Sequence, residues 1–183
     1  MTAENLLMLK YTLQPILALA IGAIIFLLDY YEEVSPGVNE VVLFLLCISK
    51  SAYFIYVTFS RIKKTLETEF FYHEFLSFII YNVLLIILSY AIDYYCLYRI
   101  DETAFRGTAN AGTIVSQFIT FSYFSIATFT TVGFGDIFPV STSARIFVST
   151  EVLLAFFFNI LIIANVVHLR ESLGKKQEIN KPR

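Results

Sequence analysis

The seven residues Thr130-Thr131-Val132-Gly133-Phe134-Gly135-Asp136 determine how the rest of the chain is interpreted. Gly133 and Gly135 alternate with larger residues, and glycine adopts the left-handed backbone conformation without a Cβ penalty. A backbone that alternates ordinary and left-handed residues can point successive carbonyl oxygens to one side. The spacing therefore predicts a row of backbone oxygens that could replace the water around a dehydrated cation. The hydroxyl of Thr131 would add a further oxygen at the inner end of this row.

The segment immediately before these glycines, residues 114–129, is apolar but carries several hydroxyl side chains: Ser116, Thr120, Ser122, Ser125 and Thr128. It is shorter than the ~20 residues that a helix needs to cross a bilayer. Non-helical backbone at membrane depth is tolerated only where protein or a water-filled cavity surrounds it. We therefore predict that residues 114–129 form a re-entrant half-helix that leads directly into the glycine-containing loop.

Four other apolar segments are candidate transmembrane helices: residues 13–28, 41–60, 75–92 and 144–167. Hydrophobic residues make up 57% of the chain and charged residues 15%, whereas roughly a quarter of the residues in soluble domains are charged. The sequence predicts an all-α membrane protein with these four helices, a re-entrant helix and a loop, and with membrane lipid around it. The net charge of -2 argues against a nucleic-acid partner. Cys47 and Cys96 are interpreted as small packing residues.

The distribution of basic residues predicts that both termini lie in the cytoplasm. With that topology, nine basic residues lie inside: Lys10, Arg61, Lys63, Lys64, Arg170, Lys175, Lys176, Lys181 and Arg183. Three lie outside: Arg99, Arg106 and Arg145. Cytoplasmic loops carry an excess of Lys and Arg. We therefore expect a multi-pass protein of the plasma or inner membrane whose re-entrant segment opens to the outside.

The glycine-containing loop resembles the selectivity filter of potassium channels. Residues 131–135 read T-V-G-F-G, a variant of the T-V-G-Y-G sequence of that family, and we refer to them as the filter segment. The preceding residues 123–131 are similar to the pore helix of the same family. The resemblance covers residues 75–168 and is closest to small prokaryotic channels of the "ion channel 2" type, here with two extra N-terminal helices.

This resemblance implies a homotetramer, in which three further copies of the chain complete a passive, potassium-selective pore. Potassium ions would bind at Thr131, Val132, Gly133 and Phe134, with Gly135 and Asp136 at the outer mouth. Other residues would support the filter segment: Thr130, Tyr123 and Phe124. Asn159 and Ile163 on the last helix would line the cavity, although the Asn159 amide could instead bond a neighbouring helix. No cofactor is expected beyond K⁺ as the permeant ion.

The predicted organisation has three parts: an N-terminal two-helix region (1–72), a pore domain (73–168) and a short cytoplasmic tail (169–183). Two departures from the family pattern concern the surroundings of the filter segment. Ala127 stands where some relatives have a carboxylate that pairs with the residue corresponding to Asp136. Tyr123 and Phe124 replace tryptophans of many voltage-gated relatives. The set of aromatic side chains that surrounds the filter would therefore consist of Tyr123, Phe124 and Phe134.

Lys50 and Glu151 are charged residues within predicted transmembrane helices, at similar depths from the outer end. A charge at mid-membrane costs at least ~2.5 kcal/mol, so each needs a partner. One interpretation is a Lys50–Glu151 ion pair that ties the extra helices to the pore. Alternatively, Lys50 extends its amine outward, and Glu151 is protonated or bonded behind the pore helix.

Other functional classes are less well supported by the sequence. A voltage sensor would need basic residues at every third position of a transmembrane helix, and the sequence predicts a polar loop around Arg61, Lys63 and Lys64 instead. His73 and His168 are too few for an enzyme site, and no nucleophile–base pair is evident. An accessory subunit with a vestigial filter remains an alternative to a channel. The gating stimulus is left open between lipid, tension, internal pH and simple leak.

Overall fold

The computed structural model describes residues 36–67, 72–108 and 113–179, with side-chain environments for residues 40–60, 77–108 and 113–164. The secondary structure within these ranges consists of α1 (Pro36–Glu67), α2 (Tyr72–Ile100), β1 (Phe105–Arg106), α3 (Ile114–Phe129), β2 (Phe138–Pro139) and α4 (Thr142–Ile179). The protein is therefore predominantly helical, as predicted. The first predicted transmembrane helix, residues 13–28, lies outside the described residues.

Three of the helices are long and apolar enough to cross a membrane, in segments Glu40–Ser60, Ser77–Ile100 and Thr142–Ala164. These segments coincide with the second, third and fourth apolar segments of the sequence. The remaining helix, α3, has 16 residues and is too short to belong to this set. The structure thus supports a membrane-embedded protein in which one short apolar helix lies among longer ones.

Two of the predicted boundaries are wrong. The third apolar segment does not end at residue 92, because α2 continues to Ile100 and buries Asp93, Tyr94 and Tyr95. Residues 61–67 continue α1 as a helix and do not form a loop. Residues 169–179 of the predicted cytoplasmic tail are helical and continue α4, and their cytoplasmic location stays a prediction. At both wrong boundaries a polar or charged residue was interpreted as the end of a helix, although tertiary packing or continued backbone hydrogen bonding allows the helix to proceed.

An aromatic cluster packs α3 against α2. Its members are Tyr94 and Tyr98 of α2, Phe105 of β1, and Phe121 and Phe124 of α3. Their ring centroids lie 5.1–5.6 Å apart in edge-to-face or tilted arrangements. Such pairs contribute about 0.5–1.5 kcal/mol each beyond the area that they bury. The cluster therefore fixes the face of α3 that turns away from the filter segment.

Two short strands connect the loops on either side of α3. β1 pairs with β2 in antiparallel register, with Phe105 opposite Pro139 and Arg106 opposite Phe138. The carbonyl of Ala104 also accepts a hydrogen bond from the amide of Val140 at 2.8 Å. The chain that enters α3 is thereby joined to the chain that leaves the filter segment.

Candidate ion-conducting site

The filter segment begins where α3 ends, and backbone hydrogen bonds hold it against the last turn of that helix. The amide of Thr131 donates to the carbonyl of Thr128 at 3.0 Å. The carbonyl of Ala127 accepts from two amides, those of Val132 at 3.0 Å and Gly133 at 3.3 Å. The side chain at position 127 takes no part in these bonds. The inner end of the filter segment is thus anchored by main-chain hydrogen bonds, and just before it the hydroxyl of Thr130 donates to the carbonyl of Ile126 at 2.7 Å.

The backbone of the filter segment adopts a left-handed conformation at every second residue. The φ angles of Thr131, Gly133 and Gly135 are +57°, +55° and +77°. Val132 and Phe134 have no such angle, since Thr131 is the only non-glycine residue with positive φ in the described part of the chain. The alternation predicted from the two glycines is therefore present in these φ angles, and it extends one step further to Thr131.

The positive φ of Thr131 is unusual because a β-branched residue is disfavoured in the left-handed region. Residues held in such conformations cost about 1–3 kcal/mol and cluster at ligand-binding and switch sites. The hydrogen bonds from the amides of Thr131 and Val132 to the end of α3 hold this conformation in place. The sequence alone did not reveal this feature, since threonine gives no signal for a left-handed residue.

Tyr123 of α3 supports the outer half of the filter segment. Its ring stacks on that of Phe134, with centroids 6.0 Å apart and planes inclined by 8°. Its hydroxyl donates to Asp136 Oδ2 at 2.8 Å, while Asp136 Oδ1 accepts from the amide of Ile137 at 3.0 Å. The hydrogen bond to Asp136 raises the pKa of Tyr123 above its ordinary value, so the phenol remains the donor at neutral pH. Tyr123 thus takes the place of the carboxylate partner that Ala127 cannot provide.

Phe124 lies elsewhere than predicted. It is buried, and its ring packs against Tyr94 at 5.1 Å and Phe105 at 5.6 Å in the aromatic cluster between α2 and α3. Among the described residues, the aromatic side chains that contact each other at the filter segment are therefore Tyr123 and Phe134, without Phe124. Phe124 can support the filter only indirectly, by holding α3 in place.

The predicted cavity residues, Asn159 and Ile163, are both exposed on the surface of α4 in the single chain. Apolar neighbours on the same helix are also exposed, namely Leu153, Phe156 and Ile160. Residues 130–136 are likewise all exposed in the single chain. The filter segment and the outward face of α4 therefore share the property of having few contacts within their own chain.

Comparison with protein families identifies the kind of protein to which this site belongs. The family model described as "Ion channel" matches residues 40–171, which include α2, α3, the filter segment and most of α1 and α4. The chain belongs to the ion channel family. No curated protein and no solved structure matched the chain. The matched range begins at residue 40, so it includes α1, whereas the resemblance seen in the sequence began at residue 75.

In this ion channel protein, Gly107 is a residue whose importance sequence reasoning missed. Its φ is +84°, and a Cβ placed there would lie 1.7 Å from the carbonyl oxygen of Asp136. Gly107 follows β1 directly, so the β1–β2 pairing brings it against the outer end of the filter segment. A single glycine before a loop gives no indication of a partner 29 positions later in the printed sequence.

Replacing Gly107 with alanine should therefore displace the backbone at Asp136 and weaken the outer mouth. We expect destabilisation by more than about 1 kcal/mol, since left-handed backbone strain alone costs alanine that much. We also expect reduced ion flux through protein reconstituted in liposomes. Glu102→Ala, an exposed change in the same loop, is the control and should behave like the unmodified protein. Normal flux and thermal stability in Gly107→Ala would show that the loop does not support the filter segment.

The Lys50–Glu151 ion pair, one of the two interpretations of these charges, does not form, whereas the contact of Glu151 with Ser125 on α3 agrees with the alternative that Glu151 is bonded behind the pore helix. Lys50 Nζ instead forms an ion pair with Asp93 Oδ2 of α2, and both side chains are buried. The same amine lies 3.3 Å from the carbonyl oxygen of Ser89 and 4.7 Å from the centroid of the Tyr90 ring. Because α2 continues past residue 92, Asp93 is available as a partner one helical turn after Ser89. The observed ion pair ties α1 to α2, whereas the Lys50–Glu151 interpretation would have tied α1 to α4.

A hydroxyl network next to this ion pair connects α1, α2 and α4. Ser51 and Tyr90 share a hydrogen bond of 2.7 Å, and Tyr90 donates to Thr150 Oγ1 at 3.3 Å. Cys47 Sγ lies 3.7 Å from the same threonine oxygen. Cys47 is a buried free thiol, in agreement with its predicted role as a packing residue. The network satisfies polar groups where no water is available.

Proposed function

We propose that this chain is one subunit of a homotetrameric, potassium-selective channel that conducts passively through the filter segment. Membership of the ion channel family supports ion conduction. The observation that carries the proposal further is the left-handed backbone at Thr131, Gly133 and Gly135. Backbone carbonyls held on one side can replace the hydration shell of K⁺. Potassium would bind between the oxygens of Thr131, Val132, Gly133 and Phe134, with Gly135 and Asp136 forming the outer mouth.

The proposed assembly follows from having one filter segment per chain. A single row of carbonyl oxygens cannot surround a cation, and potassium filters place four such loops around one axis. The exposure of residues 130–136 in the single chain supports this arrangement, as does that of Phe156 and Ile163 on α4. In the tetramer the filter segments would face the axis. The exposed face of α4 that contains Asn159 and Ile163 would surround the cavity beneath them.

The proposed orientation has both termini in the cytoplasm of a cell whose plasma or inner membrane contains the channel. The excess of basic residues in the segments assigned to the inside supports it. The outer mouth would then lie at Asp136 and at the β1–β2 loops. Membrane lipid would cover the apolar surface of α1, where Leu45, Tyr56 and Phe59 are exposed.

Purified protein in liposomes tests this function. With KCl inside and sodium outside, we expect potassium efflux from liposomes that contain the protein and no such efflux from liposomes prepared without it. Native mass measurement of the same preparation should give four copies of the chain. A preparation that is folded and tetrameric yet carries no potassium would favour the alternative of an accessory subunit with a vestigial filter.

A further inference from the structure

Glu151 lies at the junction of three helices, with none of its surface exposed. It belongs to α4. Its Oε2 accepts a hydrogen bond from the hydroxyl of Tyr94, on α2, at 2.5 Å. Its Oε1 lies 2.6 Å from the hydroxyl oxygen of Ser125, on α3. One carboxyl group therefore connects α2, α3 and α4 in the interior of the protein.

The hydrogen-bond geometry favours a proton on this carboxyl group. Besides Glu151, the hydroxyl oxygen of Ser125 approaches the carbonyl oxygen of Ile87 to 2.9 Å. Together with the Tyr94 contact, this makes three short oxygen–oxygen contacts, each of which needs one hydrogen to be attractive. The Tyr94 and Ser125 hydroxyls supply one hydrogen each. A protonated Glu151 supplies the third: it donates to Ser125, and the Ser125 hydroxyl is then free to donate to the carbonyl of Ile87 and not to Glu151.

The charges around Glu151 agree with this count. Lys50 and Asp93 are close enough to act electrostatically on Glu151, but in the part of the chain with described side chains they form an ion pair with each other, so Glu151 has no cation in contact. The other polar groups that face Glu151 are the hydroxyls of Tyr94 and Ser125. An isolated carboxylate is far more costly to bury than a neutral acid. A neutral Glu151 avoids that cost in α4, a helix long and apolar enough to cross the membrane.

The contact with Ser125 places Glu151 directly behind the start of the filter segment. Ser125 lies two residues before Ala127, whose carbonyl accepts the amides of Val132 and Gly133. A shift of α3 at Ser125 would therefore move the acceptor that anchors the filter backbone. Tyr94, the second partner, belongs to the aromatic cluster that holds the same helix.

We propose that Glu151 is a positioning residue of the filter segment, which acts as a neutral carboxylic acid and fixes α3 between α2 and α4. The proposal rests on the proposed function only in its flux readout. Its protonation state is a property of the folded protein, whichever ion is conducted. Glutamine reproduces the arrangement, because its amide nitrogen can donate to Ser125 while its oxygen accepts from Tyr94.

Ion flux in liposomes compares three variants with the unmodified protein. Glu151→Gln should keep potassium flux and potassium-over-sodium selectivity within about twofold, because the donor to Ser125 and the acceptor for Tyr94 are both retained. Glu151→Ala should lose about tenfold or more in flux or selectivity, as expected for leaving buried hydroxyls unpaired. Ser125→Ala should resemble Glu151→Ala. If Glu151→Gln is as impaired as Glu151→Ala, the neutral donor role is wrong, and if Glu151→Ala is normal, the positioning role is wrong.

Infrared spectroscopy of the folded protein tests the protonation state without any flux. The unmodified protein at neutral pH should show the carbonyl stretch of a protonated carboxylic acid, and Glu151→Gln should lack that band. Retention of the band in Glu151→Gln, or its absence from the unmodified protein, would overturn the proposal even where Glu151→Ala fails to fold. An unmodified protein that shows the band but conducts no potassium would contradict the proposed function and leave the neutral carboxyl group intact.

Discussion

Replacing Gly133 with alanine is expected to abolish potassium flux while the protein still folds and assembles. Gly133 has a φ of +55°, and an added Cβ would meet nothing within 4 Å in its own chain. The cost is therefore backbone strain, about 1–2 kcal/mol for each alanine held in the left-handed region. In a tetramer the strain is repeated in every subunit, for a sum of roughly 4–8 kcal/mol. The segment would relieve it by rotating peptide units, which turns carbonyl oxygens away from the ion.

A matched control for this change is Val132→Ala in the adjacent position. Val132 lacks the positive φ of its neighbours, so alanine fits its backbone without strain. Potassium flux in liposomes should persist in Val132→Ala and disappear in Gly133→Ala. Native mass measurement should give four copies of the chain for both variants. Equal flux in the two variants would mean that the left-handed conformation at Gly133 is not required for conduction.

Removing either partner of the Lys50–Asp93 ion pair alone should strongly destabilise the protein, whereas removing both should cost much less. The two side chains are only 8% and 9% exposed. Breaking a buried pair leaves one charge uncompensated, which typically costs about 3–5 kcal/mol. Lys50→Met and Asp93→Leu should therefore each lower thermal stability in detergent, and the double variant should recover most of the loss. Replacement of a buried pair by apolar residues is often neutral.

The control for this cycle is Arg99→Met, at the exposed end of α2. Its loss should change stability by less than about 1 kcal/mol, as for an exposed surface charge. Additive losses in the Lys50→Met/Asp93→Leu double variant would show that the two residues do not interact. If either single variant keeps its stability, the charge that remains in that variant is not destabilised by the loss of its partner.

The filter region could be predicted from the sequence because its determinants are local. The helix of residues 114–129 and the glycine-containing loop follow each other directly, and the observed α3 has the predicted limits. The two glycines indicated the left-handed positions. Thr131 could not be predicted in the same way, since its conformation depends on hydrogen bonds to the end of α3.

The partners of buried charges could not be predicted, because they depend on where helices end. The third apolar segment was predicted to end before Asp93, so Asp93 was not considered as a partner, and one interpretation paired Lys50 with Glu151. A spacing of four residues places Ser89 and Asp93 on one face of a helix, as it does Tyr90 and Tyr94. That repeat of polar residues was the available signal that α2 continues and presents hydrogen-bonding groups to its neighbours.

Long-range contacts account for the other residues that were missed. Gly107 is explained by the carbonyl of Asp136, and Phe124 by the aromatic cluster with Tyr94 and Phe105. Neither contact follows from local periodicity. Phe124 adjoins Tyr123 in the sequence, yet adjacent helical residues point about 100° apart, so one faces the filter segment and the other faces α2.

The reversal potential of the purified protein in a planar bilayer, with potassium on one side and sodium on the other, tests the central claim most directly. The carbonyl oxygens of four filter segments should favour potassium, so the potential should lie far from zero in the direction set by the potassium gradient. It should remain there when the anion is exchanged. A potential near zero with these two cations, from protein that conducts and is tetrameric, would contradict potassium selectivity by the filter segment.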